Sequence, residues 1–122
     1  MISVIIPCYN HNSLVVRAVY SATQQTYSEK EVIVVDDGSI TPIRNVWGGY
    51  VRVIRHETNQ GLSAALNTGI SAATGDRYII LAADDELRPD CLTKLASQDA
   101  DVVACDFKGD KGEPVTCRAA DL

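Results

Sequence analysis

The sequence lacks any run of lysine or arginine. Its 122 residues include 11 basic and 16 acidic side chains, for a formal net charge of -5. Nucleic-acid binding depends on basic patches that neutralise backbone phosphates, so we expect no nucleic-acid partner. An acidic protein that binds a phosphorylated ligand would instead need a divalent cation, Mg²⁺ or Mn²⁺, held by carboxylates.

Zinc-site and targeting signals are also missing. The four cysteines have no zinc-motif spacing, and only two histidines could add ligands. We therefore expect reduced thiols in a reducing compartment. No apolar run approaches a membrane span, and residues 1–7 are too short and uncharged for a signal peptide. These absences predict a cytoplasmic protein, with peripheral attachment to the inner membrane face as an alternative.

What the sequence does contain is an aliphatic core, because 46% of its residues are hydrophobic and only 6% are aromatic. Apolar, β-branched runs predict strands at residues 2–6, 31–35, 51–55, 78–83 and 102–107. Amphipathic patterns predict helices at residues 12–25, 61–74 and 89–96, the first capped by Asn12 or Ser13 and the second ended by Gly75. Alternating strands and helices predict a mainly parallel sheet covered by helices on both faces.

Polar segments follow three of these strands. They are residues 7–10, 36–39 and the pair Asp84 and Asp85. Ligands of open parallel sheets bind outside the carboxyl ends of the strands, so we expect these segments to share one edge.

Asp84 and Asp85 are the first candidates for chemistry. Two adjacent carboxylates beside a buried strand repel each other and favour a bound cation, and oxygen ligands suit Mg²⁺ or Mn²⁺. A solvated turn leading into a helix start is the alternative, since acids are favoured there as well. Spacing alone leaves the two interpretations equally supported.

The other candidates have simple structural alternatives too. Asp36 and Asp37 end a strand, where a carboxylate can accept hydrogen bonds from a base or ribose, but an ordinary turn has the same sequence. Residues 59–63 enter a helix whose free N–H groups can bind an anion, but Asn59 could merely cap that helix. Asn67, one turn beyond Ser63, faces either a ligand or solvent.

Taken together, these segments resemble glycosyltransferase family 2, which has the Rossmann-like, three-layer GT-A fold. The matching stretches, in the family's order, are residues 3–10 (SVIIPCYN), 24–27 (QQTY), 31–39 (EVIVVDDGS), 59–69 (NQGLSAALNTG) and 75–85 (GDRYIILAADD). Each stretch is a weak signal alone, but five in this order cover nearly the whole chain.

The resemblance implies metal-assisted transfer of a sugar, with inversion, from a nucleotide diphosphate sugar to a saccharide or lipid-linked acceptor. A UDP-sugar is favoured. Asp37 would bind the base with Asp36 supporting its turn, and Asp84 and Asp85 would hold the metal and the sugar-diphosphate. The residues that would line or flank the donor are Pro7, Tyr9, Asn59, Gly61, Ser63 and Asn67.

The sequence departs from the family pattern in two ways. The acid usually found two positions before Asp84 is Ala82 here, so one carboxylate is missing. The family's acceptor-binding part and catalytic base lie further downstream, and no general base is identified in this chain. We therefore expect residues 1–122 to form one GT-A-type donor-binding domain that lacks the acceptor-binding part.

Two other functions compete with this interpretation. A non-catalytic module that binds nucleotide sugars would also explain the missing acid and the short length. A phosphoacceptor receiver domain has an acidic pair like Asp36 and Asp37, but there the pair follows the first strand rather than the second. The receiver hypothesis is the weaker of the two.

Overall fold

The computed structural model describes residues 1–105 and 117–120. Nine elements follow one another along the chain. They are β1 (Ile2–Cys8), α1 (Asn12–Thr23), β2 (Lys30–Asp36), β3 (Val51–Arg55), α2 (Leu62–Ala72), β4 (Arg77–Ile80), α3 (Cys91–Ala96), β5 (Val102–Cys105) and β6 (Cys117–Ala120). No helix in the described parts of the chain is long and apolar enough to cross a membrane.

Four strands form a parallel sheet in the order β3-β2-β1-β4. In β1, Ile5 lies opposite Ile33 of β2 and Ile80 of β4. Strands covered on both faces need apolar side chains at successive positions, which explains the unbroken aliphatic runs of β1 and β2.

Successive side chains of each strand point to opposite faces of the sheet. On one face Val4 and Val34 pack in a buried cluster with Val15 and Val19 of α1. On the other face Ile33 and Val35 pack with Ala65 of α2. Helices therefore cover both faces, and the predicted three-layer α/β/α arrangement is confirmed.

Two strand boundaries differ from the prediction. β1 continues through Pro7 to Cys8, because β4 pairs with it only as far as Ile5 and Pro7 needs no partner on that side. β4 ends at Ile80 instead of residue 83. The chain after it turns early, which brings the following alanines and acids to the end of the sheet.

The predicted helix ends were also partly wrong. His11, not Asn12 or Ser13, is the residue before α1, and no side chain caps the helix. The Asn12 amide instead donates to the Thr41 carbonyl at 2.8 Å. α2 ends at Ala72 and the next residue, Ala73, is already extended, so Gly75 does not terminate the helix. A Cβ on Gly75 would lie 2.5 Å from the Met1 carbonyl oxygen, so close packing is what requires glycine there.

β5 does not join the parallel sheet in the described residues. It pairs antiparallel with β6, which the polar end of the sequence did not predict. Residue 107, the predicted end of this strand, lies outside the described residues.

Gln25 is a buried amide that joins three parts of the chain. Its Nε2 donates to the carbonyls of Ser21 and Arg88, at 3.0 and 2.6 Å, and its Oε1 accepts from Leu92 N at 2.9 Å. The Ser21 hydroxyl accepts from Leu87 N at 2.9 Å. α1 and the residue Gln25 just after it thus hold the segment that follows the acidic pair.

We expect Gln25→Ala to lower the free energy of unfolding by about 3 kcal/mol, because it leaves the buried Leu92 N–H and the Arg88 carbonyl without their partner. Urea denaturation would measure the loss. The adjacent Gln24 is exposed, so Gln24→Ala is a matched control that should change stability by less than about 0.5 kcal/mol. Equal losses in both variants would refute the buried bridge.

Candidate functional site

The carboxyl ends of β1 and β2, the turn after β4 and the start of α2 surround one cavity of about 420 Å³. Residues predicted for the site supply part of its wall: Pro7, Tyr9, Asp37, Asn59, Gly61 and Asp84. The rest of the wall comprises Cys8, His11, Leu62, Ala65, Ala82 and Ala83. The structure therefore brings together the three strand-end segments that the sequence placed on one edge.

Four predicted residues lie outside the cavity wall. Asp36 is fully buried beneath the turn that follows β2. Ser63 and Asn67 are exposed on α2, and Asp85 is exposed next to Asp84. Of the acidic pair, Asp84 lines the cavity and Asp85 does not.

Asp36 accepts hydrogen bonds that build the turn after β2. Its Oδ1 accepts from Ser39 N at 2.9 Å, and its Oδ2 accepts from Ile43 N at 3.0 Å. The Arg55 guanidinium donates to Oδ2 at 2.6 Å and also to the Ser39 carbonyl. These bonds tie residues 39 and 43 of the turn and Arg55 of β3 to one carboxylate, so Asp36 fixes the shape of the turn.

Asp37 holds the loop that enters α2. Its Oδ1 accepts from His56 Nδ1 at 2.8 Å and Gln60 N at 2.9 Å. Its Oδ2 accepts from Gly61 N at 3.0 Å and from the Asn59 amide at 3.1 Å. A carboxylate has about four acceptor positions, so these contacts use its capacity. A nucleobase donor could reach Asp37 only by displacing one of them, and the Asn59 amide is the longest.

This arrangement rules out simple capping by Asn59. The residue preceding α2 is Gly61, and no side chain caps the helix. The Asn59 amide instead bonds both the carboxylate and the carbonyl of Asp37. Gly61 has a φ of +95°, a conformation that glycine adopts without penalty, and it points its N–H at Asp37.

The end of β1 is tied to the turn after β2. Asn10 has a φ of +56°, which asparagine tolerates better than most residues. Its backbone N–H donates to the Ser39 hydroxyl at 3.0 Å, and its side-chain oxygen accepts from Ile40 N at 2.9 Å. Tyr9, the preceding residue, is thereby held at the cavity rim.

Both buried aspartates have a lowered pKa. Burial acts to raise the pKa of Asp36, but hydrogen bonds from Ile43, Ser39 and Arg55 outweigh it. The pKa of Asp37 is likewise raised by burial and lowered, by a larger total, through His56 and the backbone of residues 60 and 61. The charged forms are thus the stable ones in the folded protein.

Acid should therefore destabilise the fold. A lowered folded pKa means that the unfolded chain binds more protons, so stability is complete above the unfolded value near 3.9 and is lost as pH falls through the folded pKa. We expect the free energy of unfolding to decrease as pH is lowered below about 5. Urea titrations across this range would measure it. Asp36→Asn should flatten the dependence, because it removes one of the carboxylates with a lowered pKa.

The acidic pair lies in a tight turn directly after β4. Asp85 N donates to the Ala82 carbonyl at 3.0 Å, and both carboxylates are exposed. Within residues 1–105 and 117–120, no three His, Cys, Asp or Glu side chains form a complete metal site. Two carboxylate groups fit a cation that shares its coordination with ligand oxygens, as Mg²⁺ and Mn²⁺ do with phosphates.

The model of glycosyl transferase family 2 matches residues 3–121 of the chain. The chain belongs to this family. Glycosyltransferase GlyG of Streptococcus pneumoniae is 35% identical over 113 residues, covering 84% of this chain and 38% of that protein. The succinoglycan biosynthesis protein ExoO of Rhizobium meliloti is 37% identical over 98 residues, covering 77% and 28% respectively. The chain thus spans about a third of these family 2 relatives.

Solved glycosyltransferases share the fold. Residues of S. aureus TarS, in a complex with UDP-GlcNAc, match with a TM-score of 0.72 and 27% identity, covering 79% of this chain and 30% of that one. A mannosyltransferase of Pyrobaculum calidifontis, in complex with GDP-Man and Mn²⁺, matches with a TM-score of 0.75 and 22% identity, covering 90% and 36%. The GT-A fold expected from the sequence is confirmed.

Three residues that line or support the cavity were not among the predicted site residues. His11 lines the cavity, and its only signal was its place directly after the stretch 3–10. His56 is buried against Asp37, and its only signal was its place directly after the strand predicted at residues 51–55. Gln25 lies within the QQTY motif, yet a buried bridging amide has no periodic signal, and only its place in that motif could have indicated it.

Proposed function

We propose that this family 2 chain binds a nucleotide diphosphate sugar, with a UDP-sugar favoured, and transfers the sugar with inversion in a metal-assisted reaction. The observation that carries the proposal is one cavity that has Asp84 on one side and Asp37, Asn59 and Gly61 on the other. Its volume of about 420 Å³ lies within the range of small-molecule sites.

The two sides of the cavity suit the two ends of a nucleoside diphosphate. Tyr9, Pro7 and Leu62 offer apolar surface to a base, and the Asn59 amide can exchange its bond to Asp37 for one to the base. The start of α2 offers backbone N–H groups near the Gly61 end of the cavity. Asp84 lies opposite, where the diphosphate would need neutralisation.

Asp84, with Asp85 beside it, would hold Mg²⁺ or Mn²⁺ together with diphosphate oxygens. The bound cation would stabilise the negative charge that the departing diphosphate gains. His11 is the one basic side chain among the described residues of the cavity wall. The protein itself carries a net charge of -5, so a dianionic ligand would be repelled without the cation.

The UDP preference has support from a relative. TarS was solved with UDP and with UDP-GlcNAc, and it is 27% identical to this chain in both complexes. We extend the nucleotide to this chain as part of the proposal. The acceptor, a saccharide or lipid-linked saccharide, and the cytoplasmic location remain predictions.

Calorimetric titration of the full chain with UDP and GDP, each with and without Mn²⁺, tests the proposal. We expect UDP to bind at least about tenfold more tightly when Mn²⁺ is present. Absence of binding by either nucleotide to folded protein, in both conditions, would refute the proposal.

A non-catalytic nucleotide-sugar module is the second candidate. It is favoured by Ala82, which lines the cavity where the family usually has an acid. Incubation with UDP-GlcNAc and Mn²⁺, followed by chromatography for free UDP, separates the two functions. Binding without hydrolysis or transfer would favour the module. The receiver hypothesis fails because the Asp36 and Asp37 carboxylates are buried and already hydrogen-bonded.

Ala82→Asp should restore the missing carboxylate and tighten Mn²⁺-dependent UDP binding about tenfold. Ala82 is exposed at the cavity, so the longer side chain has room. Calorimetry with Mn²⁺ measures the change, and Ala82→Asn controls for shape without charge. Weaker binding by the aspartate variant would contradict a cation site at this turn.

A further inference from the structure

His56 lies outside the cavity wall but contacts a residue that forms it. The side chain is 9% exposed at the end of β3. Its Nδ1 is 2.8 Å from Asp37 Oδ1, and its Nε2 is 2.7 Å from the Thr68 hydroxyl of α2. The His56 backbone N–H donates to the Asp36 carbonyl at 2.8 Å.

The contact with Asp37 fixes the direction of one of these hydrogen bonds. The Asp37 carboxylate only accepts, so His56 Nδ1 carries the hydrogen. The other ring nitrogen, Nε2, is bonded to the Thr68 hydroxyl. Thr68, His56 and Asp37 therefore form a hydrogen-bonded chain from the middle of α2 to the loop at its start.

The Asp37 carboxylate connects His56 to the loop that lines the cavity. It receives Gln60 N and Gly61 N as well as the Asn59 amide, so its position sets the position of all three residues. Without the His56 hydrogen bond, Oδ1 would keep only Gln60 N. The remaining bonds to the carboxylate would all come from residues 59–61 themselves, so the loop would lose its tie to the end of β3.

We infer that His56 is a positioning residue, which holds residues 59–61 in the shape that lines the donor cavity by orienting the Asp37 carboxylate. The consequence for ligand affinity rests on the proposed function, whereas the consequence for the loop does not.

Two pairs of variants separate orientation from packing. His56→Asn keeps a donor bonded to Cγ, where Nδ1 lies, and so preserves the bond to Asp37. His56→Gln places its amide near the Nε2 position and preserves only the Thr68 side. His56→Phe keeps the ring without nitrogens, and Thr68→Val keeps the shape without the hydroxyl.

Amide hydrogen exchange, measured by NMR on the full chain, reports how firmly the loop of residues 59–61 is held. We expect the amides of Gln60 and Gly61 to exchange at least about tenfold faster in His56→Phe and His56→Gln, and within about threefold of wild type in His56→Asn. Thr68→Val should fall between. If the phenylalanine variant does not fold, the asparagine and glutamine variants carry the comparison.

Calorimetry with UDP and Mn²⁺ then measures the affinity of the cavity for nucleotide, at a temperature where the variants are fully folded. Affinity should fall about tenfold in the glutamine variant and recover in the asparagine variant, which a purely structural loss would not reproduce. Wild-type exchange rates in folded His56→Gln would overturn the inference. If wild-type protein binds no nucleotide, the proposed function fails, and the exchange rates still decide the role of His56.

Discussion

Gly38→Ala is expected to lower the free energy of unfolding by about 3 kcal/mol, the largest stability loss among single methyl additions at the site. Gly38 has a φ of +74°, where a side chain is strained. A Cβ there would also lie 2.5 Å from both Asn59 N and the Thr58 carbonyl carbon. Both contacts are with backbone, which cannot swing away as a side chain would.

Gly48 offers a matched control for this prediction. It has a φ of +87°, but a Cβ would meet no atom within 4 Å. Gly48→Ala should therefore cost only the conformational strain, about 1 kcal/mol. Thermal or urea unfolding of the two variants isolates the backbone overlap. Equal losses would mean that the turn after β2 does not press on residues 58 and 59.

Asp84→Asn is expected to weaken Mn²⁺-dependent UDP binding about 100-fold, equivalent to about 2.7 kcal/mol. Asp84 is the member of the acidic pair that lines the cavity. The amide keeps the shape but removes the charge that holds the cation, so the diphosphate loses its neutralising partner. Calorimetry with and without Mn²⁺ measures the loss, and stability should be unaffected because Asp84 is exposed.

Neighbouring acids provide the controls for Asp84. Asp85→Asn should weaken binding less, because Asp85 lies outside the cavity wall. Glu86→Gln removes the same charge one residue further on, from a side chain that pairs with Arg17 at 3.4 Å on the surface. It should bind UDP like wild type. Equal losses in all three variants would indicate a general charge effect instead of a metal site.

The arrangement of the sheet could be predicted because burial leaves a periodic record. The run Val32 to Val35 had to be a strand covered on both faces, and strand–helix alternation required parallel neighbours. The parallel order then placed Tyr9, Asp37 and Asp84 at one edge before their contacts were known. Element ends were harder, since β4 stops where tertiary contacts with β1 stop.

The hydrogen-bond networks of the site could not be predicted, because they follow no periodic pattern in the sequence. Without the family resemblance Asp36 and Asp37 looked alike in sequence, yet the first builds a turn and the second holds the loop before α2. The burial of His56 depends on where β3 ends relative to Thr68, a distance set by the packing of α2 on the sheet. Short polar contacts between remote segments have no spacing rule, so the sequence could only nominate the residues.

The central claim is that a divalent cation and a nucleoside diphosphate share the cavity edge at Asp84. NMR spectra of the full chain with UDP, recorded with Mn²⁺ and with diamagnetic Mg²⁺, test it most directly. Mn²⁺ should broaden the amide signals of Tyr9, Ala83 and Asp84. Signals of Thr74 and Gly75, at the opposite ends of the strands near Met1, should stay sharp. Broadening centred at that opposite edge, or none near Asp84, would contradict the account.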